Sequence, residues 1–226
     1  MLSIKSLLAF TLLFGMVHTA SASVIVGGTR VIYDSAKKET SLSVKNADKN
    51  TNYLIQSWID NLQEDDKDTV PFIITPPLFK LNTDQENILR IVFTGGSLPQ
   101  DKESAFWLNV KSIPSTTKTD QNTLQISVKT RIKLFYRPSG LAGDAHEAYK
   151  ALTFSRTGQT LTVKNPTPYF VSFQNLKVGT QDITEPGMVA PMSNLSWAIP
   201  AGASGKVSWK AINDYGSPSA EATASL

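Results

Sequence analysis

The stretch TLQISVKTRIKLFYRP, Thr123 to Pro138, decides the fold of this chain. Its even positions from Leu124 to Leu134 are mostly apolar, and its odd positions from Gln125 to Lys133 are polar or basic. Alternation with a period of two is typical of a β-strand that buries one face. Ordinary strands have about 3 to 10 residues, so the stretch predicts a strand that outruns its own sheet. The excess must lie against something other than that sheet.

Short β-type runs separated by turn residues recur along the 226-residue chain, and helical periodicity is nearly absent. About seven runs up to Pro138 and about six after it match the strand numbers of two immunoglobulin-like sandwiches. Glycine, serine and proline interrupt the pattern near Gly140 to Gly143. We therefore predict an all-β chain with two immunoglobulin-like β-sandwich domains, over residues 23–141 and 142–226.

Residues 1–22 have the composition of a secretory signal peptide. Lys5 precedes an apolar run from Leu7 to Val17, and the small residues Ala20 to Ala22 form a cleavage site. A membrane-spanning helix needs about 20 apolar residues, and this run is shorter. We predict cleavage after Ala22 and export of the rest. Because the chain has no cysteine, the exported protein would depend on core burial and not on disulfides.

The sequence does not favour an enzyme. His146 is the one histidine after the predicted signal, and its polar surroundings suggest a solvated linker. No nucleophile, phosphate-loop or zinc-protease motif is present, so we predict no cofactor and no nucleotide. An acidic cluster lacks the spacing of a calcium loop and is expected to be a solvated hairpin tip, with no metal: Glu64, Asp65, Asp66 and Asp68. The formal net charge of +3 is scattered among acids and does not indicate nucleic-acid binding.

Two basic residues lie on predicted strands that could meet. Arg30 belongs to the first predicted strand and Lys133 to the long one. Alone, each is what a solvated strand face commonly carries. If the two strands are neighbours at a cleft between the domains, the cations would bind a carboxylate. The carboxylate expected beside a strand edge is the C-terminus of an extended peptide.

Four motifs carry a family resemblance. They are LPQDKESAFWLNVKSIPS (Leu98 to Ser115), TRIKLFYRP (Thr130 to Pro138), NPTPY (Asn165 to Tyr169) and AINDYG (Ala211 to Gly216). In this order they resemble the periplasmic pilus-assembly chaperones of the chaperone/usher pathway, the PapD-like family. The resemblance spans nearly the whole mature chain and implies two immunoglobulin-like domains in an L-shaped arrangement.

The resemblance implies a binding role for five residues. Arg30 and Lys133 are implied to anchor the C-terminal carboxylate of a pilus subunit. Leu124, Ile126 and Val128 are implied to be the apolar residues of a donor strand that fills the groove of an incomplete subunit. The excess length of the strand at Thr123 to Pro138 would then serve another protein.

Other positions resemble structural features of the family. Glu103, Arg137 and Asp214 resemble its interdomain salt-bridge triad, with three unrelated surface charges as the alternative. Thr75-Pro76-Pro77 resembles a turn that holds a cis proline, although the sequence leaves the isomer open. The short connection between SIP and TLQ resembles the short-loop subclass. Gly27 and Gly28 are smaller than the family's usual residues, so the resemblance does not determine the local shape of the cleft.

The implied function is that of a periplasmic chaperone. It would bind and stabilise pilus subunits, including the adhesin, and deliver them to an outer-membrane usher by donor-strand complementation, without nucleotide or insertion into a membrane. The alternatives are a structural fimbrial subunit or another secreted β-sandwich binding protein. A subunit should show one incomplete sandwich with an N-terminal extension, whereas this sequence contains two complete sets of strands.

Overall fold

The structure is a computed structural model that describes residues 24–116 and 124–226. The predicted signal peptide and most of the predicted short connection before Thr123 lie outside the described residues. Within the described ranges the regular structure is strand, apart from a 3-10 helix at Ala148–Ala151, which confirms the all-β prediction. No helix in these two ranges is long and apolar enough to cross a membrane.

The first sandwich is built from nine strands of the described chain. They are β1 (Val24–Val26), β2 (Arg30–Asp34), β3 (Thr40–Asn46), β4 (Tyr53–Asn61), β5 (Phe72–Thr75), β6 (Leu78–Leu81), β7 (Glu86–Phe93), β8 (Ser104–Pro114) and β9 (Val128–Arg137). One sheet has the order β1-β3-β7-β5, and the other has the order β2-β9-β8-β4-β6. Apolar side chains from both sheets, with Leu89, Leu108 and Leu134 fully buried, form one core between them.

The second sandwich follows in the remaining described residues. Its strands are β10 (Thr153–Thr157), β11 (Thr160–Asn165), β12 (Val171–Val178), β13 (Gln181–Asp182), β14 (Met188–Val189), β15 (Ser193–Ala198), β16 (Val207–Ala211) and β17 (Ala222–Ala224). One sheet has the order β10-β11-β15, and the other has the order β13-β12-β16-β17, with β14 also paired to β12. Its core runs from Ala148 to Ala211, separate from the first core, which ends at Tyr136. The exact boundary at residues 141 and 142 stays a prediction.

The run predicted as the first strand is divided between the two sheets. β1 pairs antiparallel with β3, whereas β2 pairs parallel with β9. Gly27 and Gly28 lie at the step between them, where a Cβ on Gly27 would overlap the Ser43 hydroxyl. The small residues therefore let the chain pass close to β3 as it changes sheets.

The sequence FIITPPLFKL, Phe72 to Leu81, forms two strands, β5 and β6, and not one. The division falls at Thr75-Pro76-Pro77, where the Thr75–Pro76 peptide bond is cis. Two consecutive prolines offer no N–H group to a strand ladder, so continuous pairing cannot pass through them.

The strand predicted over Thr123 to Pro138 is shorter in the structure than in the prediction. β9 begins at Val128, and Leu124 to Ser127 lie outside any strand. The ladder between β8 and β9 ends at the pair Ser112–Val128 because β8 soon reaches Pro114, which has no N–H to donate. Gln125 Nε2 instead donates a hydrogen bond to the Pro114 carbonyl at 2.6 Å.

One edge of β9 lacks a partner over its first half. β8 pairs with β9 from Val128 to Tyr136, whereas β2 covers the other edge from Lys133 to Arg137 alone. Over residues 128–132, none of the described strands pairs with the edge of β9 that faces away from β8. We call this stretch the free edge of β9. Unpaired N–H and C=O groups on a strand edge are a template for another strand.

Candidate functional site

The parallel pairing of β2 with β9 places Arg30 directly opposite Lys133. Both side chains are half-buried, and burial lowers the pKa of each. The charge of Arg30 lowers the pKa of Lys133 further, whereas the more distant carboxylates of Asp214 and Glu103 partly offset the effect of burial on the pKa of Arg30. In residues 24–116 and 124–226, neither cation has a carboxylate within ion-pair distance. Two such cations side by side would attract an anion.

One hydrogen bond to the described chain holds the Arg30 guanidinium. Its Nη1 donates a hydrogen bond of 3.0 Å to the Ile212 carbonyl, in the loop after β16. Its Nε is buried without a hydrogen-bond partner in the described chain. A carboxylate binds a guanidinium edge through two parallel hydrogen bonds, and a buried donor without a partner is costly. The guanidinium therefore keeps donors that the described chain does not use, although Nε itself has almost no accessible surface.

The basic side chains of β9 lie on tryptophan rings. Lys133 Nζ is 5.1 Å from the centroid of the Trp107 ring, and Arg131 Cζ is 4.4 Å from the same centroid. Lys129 Nζ is 5.7 Å from the centroid of the Trp58 ring. The face of the five-stranded sheet that carries the cations is thus also aromatic, and cations are attracted to aromatic ring faces.

Two residues of this site, Trp107 and Ile212, are not predicted from the sequence. Alternation carried a signal for Trp107, because buried Phe106 and Leu108 flank it and put it on the polar face of β8. Ile212 contributes a backbone carbonyl. Every residue has one, so its side chain gives no signal.

The three predicted donor residues are exposed and lie beyond the end of the chain's own core. Leu124, Ile126 and Val128 are 89%, 67% and 57% exposed, whereas Ile132 and Leu134, with the same parity on β9, are buried. One alternating pattern therefore begins in solvent and ends in the core of the first sandwich. Lys133 lies between these two buried residues in sequence, and Arg30 faces it from β2 where the unpaired part of the β9 edge ends.

Arg137 connects the two sandwiches. Its Nε donates a hydrogen bond of 2.6 Å to Glu103, and its Nη1 and Nη2 donate bonds of 2.7 Å and 2.9 Å to the Asp214 carboxylate. Glu103 precedes β8 in the first sandwich, and Asp214 follows β16 in the second. The second carboxylate oxygen of Glu103 accepts a 2.7 Å bond from the Phe170 N–H. The three predicted residues are therefore in direct contact.

The two carboxylates of this triad have opposite pKa shifts. Burial raises the pKa of Glu103, although the charge of Arg137 and the Phe170 N–H oppose the shift. Burial also acts to raise the pKa of Asp214, but the hydrogen bonds and charge of Arg137 outweigh it and lower that pKa. For Arg137 itself, burial acts to lower the pKa, and the two carboxylates overcome it and raise the pKa.

His146 lies beside the triad and not simply in a solvated linker, as the sequence suggests. Its Nε2 is 4.0 Å from Asp214 Oδ2, and its ring stacks on Tyr215 with centroids 6.0 Å apart. The loop after β16 brings both partners to the linker, although they are distant in sequence. No local pattern could have revealed this contact.

The acidic cluster forms part of an exposed loop but is not a hairpin tip. The loop joins β4 to β5, which belong to different sheets, and Glu64 is 3.6 Å from Arg131. Across the described ranges, no three metal-binding side chains come together.

Two family models match the chain. Residues 23–142 match the model described as Pili and flagellar-assembly chaperone, PapD N-terminal domain. Residues 147–223 match the model described as Pili assembly chaperone PapD, C-terminal domain.

Individual relatives and solved structures agree with these matches. The probable fimbrial chaperone LpfB of Escherichia coli O157:H7 is 48% identical over 206 residues, covering 87% of this chain and 88% of the relative. Chaperone protein FimC of Escherichia coli K12 is 44% identical over 200 residues, covering 87% and 82%. A chain of the Salmonella enterica complex of SafA pilin with the SafB chaperone superposes with a TM-score of 0.83 at 33% identity, covering 92% and 99%. The Escherichia coli chaperone DraB superposes with a TM-score of 0.78 at 38% identity, covering 90% and 97%.

Proposed function

The chain belongs to the family of pilus-assembly chaperones represented by PapD, and from this premise we propose that it captures fimbrial subunits by adding one of its own strands to them. Its role as a fimbrial chaperone rests on the two domain matches and on relatives such as LpfB and FimC. The alternative of a structural fimbrial subunit is not favoured, because both sandwiches have their own complete core.

One observation carries the proposal: the free edge of β9 ends where the cation pair begins. β2 starts at Arg30, opposite Lys133, and occupies the edge from there onward. A guest strand along residues 128–132 would therefore lie in line with β2 and end at the two cations. With its C-terminal carboxylate on Arg30 and Lys133, the guest strand runs in the same direction as β9, so the pairing is parallel.

The apolar residues before and at the start of β9 supply the second half of the interaction. An incomplete sandwich exposes core side chains and unpaired backbone groups, which makes it prone to aggregate. Backbone hydrogen bonds from β9 would pair with the guest strand. Leu124, Ile126 and Val128, at every second position, would fill the exposed groove of the incomplete subunit. Their exposure in the unbound chain supports this role.

The triad has a separate role in this proposal. Glu103, Arg137 and Asp214 would fix the angle between the domains over residues 23–141 and 142–226. A fixed angle would hold the second domain, which contributes the Ile212 carbonyl, against Arg30. The anion site would then depend on both domains.

The setting of this activity is also a proposal. After removal of residues 1–22 the chaperone would work in the periplasm, bind pilus subunits and the adhesin, and deliver them to an outer-membrane usher. The SafB chaperone forms a complex with a pilin, which supports subunits as partners. Binding alone would suffice, without catalysis, cofactor or nucleotide.

Capture from periplasm tests the proposed function. A tagged chain would be expressed in a bacterium that assembles the cognate fimbria, and the proteins that co-purify would be identified by mass spectrometry. We expect a fimbrial subunit with the wild type, and its loss with Arg30→Ala or Lys133→Ala, because each charge-assisted hydrogen bond contributes about 1.5 to 3 kcal/mol. Lys80→Ala, an exposed cation on β6 at the far edge of the same sheet, is the matched control and should retain the subunit. Recovery at wild-type yield with folded Arg30→Ala would refute the anchor.

A further inference from the structure

Lys133 occupies an unfavourable position for a flexible cation. Its ammonium is half-buried next to the Arg30 guanidinium, and no carboxylate in the described chain lies within ion-pair distance of it. A lysine side chain has four methylene groups and is free to turn its charge toward water. A carboxylate anchor made of two adjacent cations therefore needs something that holds the ammonium in place before the ligand arrives.

The Trp107 ring meets this need. It lies on β8 directly opposite Lys133 in the β8–β9 register, and Lys133 Nζ is 5.1 Å from its centroid. The indole N–H donates a hydrogen bond of 3.1 Å to the Leu62 carbonyl, which fixes the orientation of the ring. An aromatic face attracts a cation without neutralising it, and this attraction grows where water is excluded. The ring can hold the ammonium and leave its charge for a ligand.

Arg131 also contacts this ring, but it does not depend on it in the same way. Its Cζ is 4.4 Å from the ring centroid, and its guanidinium has a carboxylate partner in Glu64 at 3.6 Å. Lys133 has no such partner in residues 24–116 and 124–226. The Trp107 ring, at 5.1 Å from Nζ, offers its ammonium an attractive contact.

We propose that Trp107 is a positioning residue of the carboxylate anchor, whose ring face holds the Lys133 ammonium beside Arg30 and at the end of the free β9 edge. This inference rests on the proposed function, in which the anchor binds the terminal carboxylate of a pilus protein. Orienting a lysine side chain in advance reduces the ordering that binding must bring about, so affinity for the carboxylate rises without a direct contact from Trp107.

The test separates the carboxylate contact from the rest of the strand. Two synthetic peptides would carry the C-terminal strand sequence of the subunit that co-purifies with the wild-type chaperone, one ending in a carboxylate and one in a carboxamide. The ratio of their dissociation constants measures the anchor alone. It would be determined by calorimetry for the wild type, for Trp107→Leu and for Trp58→Leu, the matched control whose ring contacts Lys129.

We expect the wild type to prefer the carboxylate peptide strongly. Trp107→Leu should reduce that preference about tenfold, in line with the strength of a partly desolvated cation–π contact, and Trp58→Leu should leave it unchanged. Equal preference in Trp107→Leu and the wild type would overturn the positioning role. A wild type that binds both peptides equally would instead refute the proposed carboxylate anchor itself, so the two failures are distinguishable.

A second measurement covers the case in which Trp107→Leu does not fold. In the wild type, the Lys133 ε-methylene protons should be shifted upfield by the ring current, with their NMR signal assigned by its absence in Lys133→Arg. Trp107→Phe, which keeps a ring, should retain part of the shift and most of the carboxylate preference. If the ε-methylene protons of Lys133 in the wild type had the chemical shift of an ordinary lysine, the proposal would be overturned.

Discussion

At the scale of the residue, the proposed role of Arg30 depends on the hydrogen bonds of its individual guanidinium nitrogens and not on its charge alone. Nη1 is bound to the Ile212 carbonyl, and the buried Nε has no partner in the described chain. The Phe135 ring lies 5.7 Å from Cζ and covers the guanidinium. A lysine at this position would provide a charge but not the planar edge that a carboxylate recognises.

We therefore predict that Arg30→Lys weakens the binding of subunits although the charge is kept. Loss of the two-bond edge should lower affinity about tenfold to a hundredfold, measured with the purified subunit by surface plasmon resonance. Arg90→Lys is the control, because Arg90 is an exposed arginine paired with Glu39 on the other sheet, and it should bind like the wild type. Wild-type affinity of Arg30→Lys would mean that charge alone makes the anchor.

The sequence indicates some of these residues and not others for a physical reason. Arg30 and Lys133 can be found because each lies on a predicted strand and because the family resemblance singles out both. The hydrogen bond from Arg30 to Ile212 depends on how distant parts of the chain pack, and the contact of the Trp107 ring with Lys133 depends on the register between β8 and β9. Contacts to backbone atoms and ring faces leave no residue pattern of their own.

At the scale of the element, β9 passes through two environments along one alternating pattern. Its end is buried, with Leu134 and Tyr136 in the core of the first sandwich, and its beginning is exposed. Alternation predicts both parts, but not the point where regular pairing starts. That point depends on Pro114 of the neighbouring strand, just as the division of the first strand depends on the close approach of Gly27 to Ser43. Such breaks arise from neighbours in space.

This division predicts different results for adjacent substitutions. Ile126→Asp would put a carboxylate into the apolar groove of a subunit and abolish capture, whereas Ser127→Asp lies on the opposite side of the extended chain and should be tolerated. Because Ile126 is 67% exposed in the unbound chaperone, its substitution should not change the thermal midpoint of unfolding. Recovery of the complex from periplasm measures capture, and circular dichroism measures folding.

Equal recovery of both variants would contradict groove filling by this segment. Loss of folding with Ile126→Asp alone would contradict the exposure of its side chain.

At the scale of the whole molecule, the triad joins the sandwiches through charges that are only partly shielded from water. The Glu103 side chain is 2% exposed, and those of Arg137 and Asp214 are 22% exposed. Exposed pairs contribute about 0 to 1 kcal/mol, and breaking a buried pair costs about 3 to 5 kcal/mol. The Arg137–Asp214 pair should lie between these limits.

We predict that Asp214→Asn lowers the free energy of unfolding at pH 7 by about 1 to 3 kcal/mol and broadens the range of interdomain angles seen by small-angle scattering. The pKa of Asp214 is lowered in the folded chain, so its ionised form stabilises the fold above the unfolded pKa of about 3.9. This contribution is lost as the pH falls through the lower folded value. The difference between wild type and variant should therefore be constant from about pH 7 to 5 and shrink below about pH 4.

Asp182→Asn provides the matched control, because Asp182 pairs with Lys177 at 3.5 Å on the exposed surface of the second sandwich. Asp182→Asn should change neither the scattering profile nor the pH dependence of the free energy of unfolding. Unchanged stability and scattering of Asp214→Asn would mean that the triad does not fix the domains.

The central claim, that β9 adds a strand to a subunit, is tested most directly by amide hydrogen exchange in the isolated complex. Within residues 128–132, the N–H groups that point away from β8 have no strand partner in the described chain. If a guest strand pairs there, NMR should show that these amides exchange at least about tenfold more slowly in the saturated complex, while amides already bonded to β8 change little. Unchanged exchange along this edge with the guest fully bound would contradict strand addition.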